Sequence, residues 1–490
     1  MLLRRIGSKF SRGTVRGYFA SSNGRAELVV FGIVLVYVLV MSYYTVLKHN
    51  AFLTYWFDLG IYAQEFWLKL QGASGSTVFV HRPILFGLLP VYALFPRPET
   101  LLVGQSMILG LGAVPLYWLA RNELRSAMAG VVFAGALLLY PPLHGVNTFD
   151  FHVEVFLVPF FLFALYYLHA GRWRSYLVFT ALILLIMLEA SVLVGVMSLY
   201  ALLLYRSRWL RLRHNSWSVS LSWGMEARVA LATLLMAGVA YGIGSVLSSG
   251  LGQLASSLVT TPTATLSRFL ADVPTKLAYL VEVFGPVGSL AFLSPAPLLM
   301  AVPWWAFSFT LPFPNMLSIS FQYGAFVTPF VFAAAVGGVK KLAMNSSSLS
   351  ITSVRRGLVL LTVTSLLFFQ WLSPLAQPWP VLDARTQVLH KIIELIPKEA
   401  SVLAQNDLYP HLTGRFGLYG SIPASTTVDY ILVDTRSIQF QAWPPDESMA
   451  VVLGRLLKSG QYGALVEYDG IYLYQRGYEA SPILLEDIPR

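Results

Sequence analysis

Apolar runs separated by short polar connections occupy about the first three quarters of the chain. The first run, from Leu28 to Leu47, has twenty residues and is almost purely apolar. Twenty residues in an α-helix rise about 30 Å, which matches the hydrocarbon core of a bilayer. The sequence therefore predicts that this run is a transmembrane helix.

Ten more apolar runs follow the first one, and several of them have only about 14 residues. They lie at residues 100–120, 127–141, 155–169, 175–188, 190–205, 229–248, 281–293, 297–310, 325–339 and 357–373. Together they predict a polytopic α-helical membrane protein with about 11 transmembrane helices over residues 27–373. The connections expected outside the cell are 49–98, 141–154, 249–280 and 311–324.

The pattern changes near residue 374, where long apolar runs stop. Two segments have helical periodicity and four resemble short strands, namely 385–396 and 447–458 for helices and 401–404, 430–433, 464–468 and 471–474 for strands. The last two strands flank Asp469-Gly470, which is typical of a tight β-hairpin turn. Residues 374–490 are therefore predicted to form a small, soluble α/β domain.

Composition agrees with a membrane location. The chain has 490 residues, of which 56% are hydrophobic and 12% are charged, and its mean hydropathy is +0.63. A soluble domain usually has about 25% charged residues, so this chain is not an ordinary soluble protein. Cysteine is absent, which excludes disulfides, thiolate metal sites and cysteine nucleophiles.

The net charge of +10 has a sided distribution. The segment 1–26 and alternate connections together contain 19 Lys and Arg residues, which the positive-inside rule places in the cytoplasm. The C-terminal domain would then lie outside the cytoplasm. Because the basic residues are explained by membrane topology, nucleic acid is not an expected partner, whereas membrane lipids are. The predicted outer side holds eight acids: Asp58, Glu65, Glu99, Asp150, Glu154, Glu189, Asp272 and Glu282.

Asp58 is the first candidate for chemistry. It lies among aromatic residues just beyond the first predicted helix, and Glu65 follows it. A carboxylate in such a partly desolvated place is costly unless a cation compensates its charge. Asp58 is a candidate catalytic residue or metal ligand, and Glu65 is a candidate base. Alternatively, Asp58 caps a helix or pairs with Lys48.

Asp150, His152 and Glu154 are the second candidates. If this segment is extended, the alternation of strand side chains places all three on one face. Two carboxylates and an imidazole that converge suit a divalent cation such as Mg²⁺ or Mn²⁺. The alternative is that these residues only cap the next helix and bond the loop.

Several other residues are candidate substrate contacts. Arg82, beside His81, could bind a phosphate with two parallel hydrogen bonds. Alternatively, Arg82 only extends its charged end to the membrane interface and binds no ligand. Glu189 lies between two apolar runs and either lines an internal cavity or belongs to a helix turn. Weaker candidates are Tyr323, His411 and Arg415.

The run from Phe57 to Tyr62 resembles the signature of a family of predicted membrane proteins, the domain of unknown function 2079. The similarity extends to His81 with Pro83, Leu89 to Pro96, Phe149 to Glu154, Leu188-Glu189, Ser294-Pro295 with Pro303, and Pro410-His411-Leu412 with Arg415. The family usually has a Lys-Glu-Asp-like run where this chain has Leu188-Glu189-Ala190, which weakens a role for a charged cluster there.

The family looks like a distant relative of the GT-C glycosyltransferases. That resemblance implies transfer of a sugar from a polyprenyl-phosphate carrier to an acceptor on the outer membrane face. Asp58 matches the acidic position after the first helix of those enzymes, and the run Asp150 to Glu154 matches a second acidic motif that helps to hold a metal. The implied roles are metal ligation by Asp58, Asp150, His152 and Glu154, phosphate binding by Arg82, and proton abstraction by Asp58 or Glu65.

Two other functions are consistent with the same sequence. One is a transporter or flippase of a lipid-linked substrate, which would need polar groups along a path through the bilayer. The other is a non-catalytic cell-envelope assembly protein whose C-terminal domain is the functional part. The sequence does not indicate an oligomeric state.

Overall fold

A computed structural model describes residues 22–73, 77–206, 210–213, 218–221, 224–247, 260–311, 313–345, 348–422, 426–442 and 448–483. Most of the basic segment 1–26 lies outside these residues. The same holds for residues 249–259 of the third predicted external connection.

The described part of the chain before residue 374 is mainly helical. Its α-helices are α1 (Ser22–Asn50), α2 (Ile61–Leu70), α3 (Val78–His81), α4 (Leu89–Leu94), α5 (Pro98–Leu111), α6 (Ala113–Leu124), α7 (Ala127–Leu138), α8 (Pro141–Thr148), α9 (Leu157–His169), α10 (Trp173–Leu184), α11 (Leu188–Leu204), α12 (Met225–Leu247), α13 (Pro262–Leu270), α14 (Val273–Phe284), α15 (Val302–Thr310), α16 (Thr328–Ala343) and α17 (Ile351–Leu372). Two short antiparallel hairpins interrupt them: β1 (Leu210–Arg213) with β2 (Ser218–Leu221), and β3 (Met344–Asn345) with β4 (Ser348–Leu349).

Within the described residues, four helices are long and apolar enough to cross a membrane, or five if one bent pair counts as a single span. The four are Asn23–Asn50, Pro98–Leu124, Met225–Ser245 and Ile351–Leu372, and the bent pair is Ala127–Leu138 with Pro141–Thr148. Shorter apolar helices are Val153–His169, Trp173–Leu184, Leu188–Leu204 and Ala296–Thr310. The helical character is confirmed, whereas the prediction of about 11 spans is not.

Breaks in the apolar runs explain the lower number of long helices. The run at 281–293 contains the end of α14 and two separate 3₁₀ turns, Gly285–Val287 and Leu290–Leu293. The run at 297–310 begins as another 3₁₀ segment, Ala296–Ala301, before α15. Apolar composition favours burial in lipid or protein, but it does not prevent such breaks.

The core of the helical part is built around α16. This helix packs against α6, α9 and α17, while α1 packs against α5 and α7, and α11 packs against α12. Large apolar side chains are nevertheless exposed on α1, α12 and α17, for example Leu39, Val239 and Leu367. Extensive exposed apolar surface is unfavourable in water, so these faces suit contact with lipid.

The C-terminal residues form a five-stranded mixed sheet in the order β6-β5-β7-β9-β8. The strands are β5 (Val402–Ala404), β6 (Leu418–Tyr419), β7 (Tyr430–Asp434), β8 (Tyr462–Tyr468) and β9 (Ile471–Arg476), and the helices are α18 (Ala384–Glu394), α19 (Gln439–Ala442) and α20 (Met449–Lys458). Strands β8 and β9 form the predicted hairpin, in which Asp469 and Gly470 both have positive φ. A small α/β domain is therefore present, as the sequence predicts.

This domain packs on the segment that follows α1. Trp56 N–H donates to the backbone oxygen of Asn406 over 2.7 Å, and the amide of Gln64 donates to the backbone oxygen of Arg415 over 2.6 Å. Gly60 lies so close to the ring of Tyr409 that a side chain there would meet it at 2.7 Å. These contacts fix the position of the turn that carries Asp58.

Candidate functional site

Asp58 and His152 form a direct pair. Asp58 belongs to a π-helical turn, Trp56–Gly60, and its Oδ1 accepts a hydrogen bond from Nε2 of His152 over 2.8 Å. Burial disfavours the charged imidazolium, but the carboxylates of Asp58, Glu154 and Asp150 together outweigh that effect and raise the pKa of His152. The side chain of Asp58 is 22% exposed and that of His152 only 6%, so Asp58 is the member that a substrate can reach.

Asp150 pairs with Lys48 and not with another candidate site residue. Its Oδ1 lies 3.2 Å from Nζ of Lys48, and its Oδ2 accepts the backbone N–H of Tyr55 over 2.7 Å. Burial raises the pKa of this carboxyl to about 6. Lys48, which was one possible partner for Asp58, is therefore the partner of Asp150.

The prediction of an extended segment with three side chains on one face is wrong. Asp150 has a φ of 95°, and Val153–Phe156 is a 3₁₀ turn that contains Glu154. The strand alternation is therefore lost on both sides of His152. As a result, Asp150 points to Lys48, while His152 points to Asp58.

A cavity of about 710 Å³ is lined by Arg82 and residues of neighbouring helices, and neither Asp58 nor His152 is among its lining residues. Its polar lining includes His81, Arg82 and Glu189, all of which the sequence marked as candidates. Its apolar lining comes mainly from α10, α11 and α12: Ala181, Leu184, Leu185, Met187, Leu188, Leu235, Met236, Val239, Ala240 and Ile243. The cavity thus combines a charged end with an extended apolar wall.

Tyr62 connects the cavity with the Asp58–His152 pair. The guanidinium of Arg82 lies 5.7 Å from the centre of the Tyr62 ring, and the His152 ring lies 6.4 Å from it. Glu154 is buried and interacts electrostatically with both Tyr62 and Arg82. The structure therefore brings Asp58, His152, Glu154, Arg82 and the cavity into one region, which we call the outer site.

The carboxylates of Asp58 and Asp150 do not share a common partner. His152 occupies one oxygen of Asp58, and Lys48 and the Tyr55 N–H occupy both oxygens of Asp150. In the part of the chain that the structure describes, no three His, Asp or Glu side chains are grouped so that they could hold a metal ion. This arrangement does not fit a divalent cation, and binding of Mg²⁺ or Mn²⁺ therefore stays a prediction from the sequence alone.

The other predicted residues have separate environments. Glu65 lies near Tyr409 of the C-terminal domain, and Tyr323 stacks on Trp304 and interacts electrostatically with Asp58 and Glu154. His411 stacks on His49 at a centroid distance of 4.1 Å, and Arg415 donates to the backbone oxygens of Leu412 and Pro397. Tyr323 is thus close to the outer site, whereas His411 and Arg415 hold the domain in place.

Comparison with known families places the chain. A family model described as Predicted membrane protein (DUF2079) matches residues 48–473. The chain belongs to this family. No curated protein matches the sequence. The family description supports a membrane protein and assigns no activity, and its match includes every residue of the outer site.

Sequence reasoning missed the polar residues that support His152 in this family member. The side chain of Gln105, on α5, accepts the backbone N–H of His152 over 3.3 Å and donates to the backbone oxygen of Asn147. Asn147 in turn accepts from the hydroxyl of Ser106 over 3.0 Å. A signal was present, because Gln105-Ser106 interrupts an apolar run, and polar residues in such runs usually face the protein interior.

Proposed function

We propose that the protein is a membrane glycosyltransferase-like enzyme that transfers a sugar from a polyprenyl-phosphate carrier to an acceptor on the extracytoplasmic face. The observation that carries the proposal is the cavity of the outer site, where Arg82 and His81 border a long apolar wall. A lipid phosphate has the same two parts, an anionic head and an apolar chain. An arginine binds phosphate oxygens well because its donors form a planar fork.

The position of Asp58 supports an enzymatic role for the pair. The ring of Tyr62 is near both the guanidinium of Arg82 and the ring of His152, so Asp58, which accepts a hydrogen bond from His152, is linked to Arg82 through one aromatic side chain. Gln105 and the hydrogen bond from His152 limit the movement of the pair. Transfer of a sugar to a hydroxyl requires a base that is held in position near the bound phosphate ester.

The proposed step balances without a further reactant. The acceptor hydroxyl oxygen attacks the anomeric carbon of the sugar, and its proton passes to Asp58. The bond between that carbon and the phosphate oxygen breaks, and the phosphate leaves with the electron pair. Arg82, assisted by His81, stabilises the charge that develops on the phosphate.

Glu65 is the second candidate for the base, because one of its carboxylate oxygens is buried without a hydrogen bond among the described residues.

The residues of α11 support a transporter less well than they support an enzyme. Between its two ends, the buried side chains of this helix are apolar except for Ser191 and Ser198. Each of these hydroxyls donates to a backbone oxygen of its own helix, at 2.6 Å in both cases. Along α11, therefore, no free polar group marks a path for an ionic head group.

Sugar transfer in purified membranes tests the proposal. With a radiolabelled sugar on a polyprenyl-phosphate donor, Asp58→Asn should lower the rate by about 100-fold or more, because general-base catalysis contributes that much. Arg82→Gln should raise the KM for the donor and lower the rate. The matched control is Arg97→Gln, since Arg97 is exposed and does not line the cavity.

The variants also separate the two candidate bases. If Glu65→Gln abolishes transfer and Asp58→Asn does not, Glu65 is the base and the role given to Asp58 is wrong. Equal transfer rates in the wild type, Asp58→Asn and Arg82→Gln would contradict the proposed site. Donor accumulation on the opposite side of sealed vesicles without transfer would instead identify a transporter.

A further inference from the structure

A second cavity, of about 760 Å³, lies at the other end of α11. Glu189, in the first turn of this helix, lines the cavity of the outer site, whereas Tyr200, Leu203 and Leu204, in its last turns, line the second cavity. Eleven residues of α-helix, from Glu189 to Tyr200, rise about 16 Å, so the two cavities are separated along α11 by about half of a bilayer's hydrocarbon thickness. The proposed transfer reaction does not use the second cavity.

A chain of polar contacts forms one wall of the second cavity. Glu123 on α6 accepts from Nζ of Lys340 over 2.6 Å and from Nδ1 of His169 over 2.9 Å. The other ring nitrogen of His169 lies 2.8 Å from the hydroxyl of Tyr200. These residues come from four helices, α16, α6, α9 and α11, so the wall is a defined part of the tertiary structure.

The lining of the second cavity has an excess of positive charge. Its described residues include three cations, Arg206, Lys340 and Lys341, and one carboxylate, Glu123. Lys340 already pairs with Glu123, so Arg206 and Lys341 have no carboxylate partner within the lining. Two cations near a low-dielectric wall favour the binding of an anion.

Much of the remaining lining is apolar, although Ser294 also belongs to it. The apolar lining includes Leu119, Leu203, Leu204, Ala333 and Val336. A phosphate group therefore fits beside Arg206 and Lys341, and an acyl chain attached to it fits beside the leucines. The same cations are among those that the sequence predicts to face the cytoplasm, where membranes carry their anionic lipids.

We infer that this second cavity binds a phosphate group, carried either by an anionic lipid or by a soluble phosphate ester, between Arg206 and Lys341. The site is separate from the outer site and does not depend on the proposed transfer reaction. Lys340 and Glu123 position the wall, while Arg206 and Lys341 make the contacts to the anion.

Native mass spectrometry of the full chain in a neutral detergent tests the inference. Three probes separate the contributions: phosphatidic acid carries the phosphate and the acyl chains, diacylglycerol carries only the chains, and glycerol 3-phosphate carries only the phosphate. Loss of charged contacts in the double variant R206Q/K341Q should weaken phosphatidic acid binding about tenfold or more. The matched control is R355Q/R356Q, because these two arginines are exposed on α17 and do not line the cavity.

Each outcome decides either whether the second cavity binds a phosphate group or which molecule carries that group. Wild-type preference for phosphatidic acid over diacylglycerol, lost in R206Q/K341Q and kept in R355Q/R356Q, supports the site. If glycerol 3-phosphate competes with the lipid, the source is a soluble ester; if it does not, the source is a lipid head group. Equal binding by wild type and R206Q/K341Q overturns the inference, and so does equal binding of diacylglycerol. The single variant K341Q, at an exposed position, provides the same comparison if the double variant does not fold.

Discussion

At the scale of single residues, the carboxylates of Asp58 and Asp150 have different neighbours and therefore different properties. Asp58 keeps part of its surface open and is held by the imidazole of His152. Asp150 is buried and fully occupied by Lys48 and the Tyr55 N–H. Two acids that look equivalent in the sequence therefore have different properties, one suited to proton transfer and the other to holding the end of α1 against the loop.

The buried position of Asp150 makes stability depend on pH. Its pKa is raised from the usual 3.8 to about 6, so the folded protein holds this proton more tightly than the unfolded chain. Protonation of the Asp150 carboxyl therefore stabilises the folded state at low pH, and this stabilisation is lost as the pH rises from about 4 to about 6. Over that range, the unfolding midpoint of the wild type should fall relative to that of Asp150→Asn, by roughly a few degrees.

Thermal unfolding in detergent at several pH values measures this difference. Asp272→Asn is the control, because Asp272 is exposed, and its curve should stay parallel to that of the wild type. If Asp150→Asn and the wild type have parallel curves as well, the Asp150 carboxyl is not the titrating group.

At the scale of elements, the outer site depends on short turns held by close packing. Gly145 on α8 lies against the backbone at Ile319, and a methyl group at this glycine would overlap the carbonyl oxygen of Ile319. Backbone atoms cannot move aside as readily as a flexible side chain. This contact keeps α8 next to the segment that carries Tyr323, so α8 is placed by a glycine whose importance no local pattern shows.

Gly145→Ala should therefore destabilise the protein by about 1–3 kcal/mol, the usual cost of an overpacked contact. Gly135→Ala is a suitable control, because no atom lies within 4 Å of the position that its methyl group would occupy. Alanine also favours helix over glycine, so the control should be neutral or slightly stabilising. Unfolding midpoints of the two variants in the same detergent provide the measurement, and equal midpoints would show that α8 can shift without cost.

At the scale of the whole molecule, the outer site lies where two parts of the chain meet. The C-terminal domain contacts the segment after α1 through Asn406, Arg415 and Tyr409. If that domain lies outside the cytoplasm, the outer site faces outward and the second cavity faces inward. The orientation of the helices thus decides which compartment each cavity serves.

The absence of cysteine allows a direct test of orientation, because each introduced cysteine is unique. Lys458→Cys, in the C-terminal domain, should react with a membrane-impermeant maleimide in intact cells. Arg356→Cys, at the start of α17, should react only after the membrane is permeabilised. The cysteine-free wild type is the background control, and the reverse labelling pattern would show that the charge distribution has been assigned to the wrong sides.

The sequence predicted part of the outer site, since Asp58, His152 and Arg82 all lie there. It did not predict their partners. His152 is 94 residues from Asp58, and Lys48 is 102 residues from Asp150. Such pairings depend on how helices and turns pack, whereas the strand alternation assumed for 150–154 is a local rule that a positive φ at Asp150 breaks.

The sequence by itself determined the apolar runs and the β8–β9 hairpin, because hydrophobicity and turn chemistry act over a few neighbouring residues. Only the tertiary structure decided where the run at 281–293 breaks into turns, which carboxylate Lys48 neutralises, and where the two cavities open. Those outcomes depend on packing between segments far apart in the chain, and a local pattern contains no information about which distant surface it will meet.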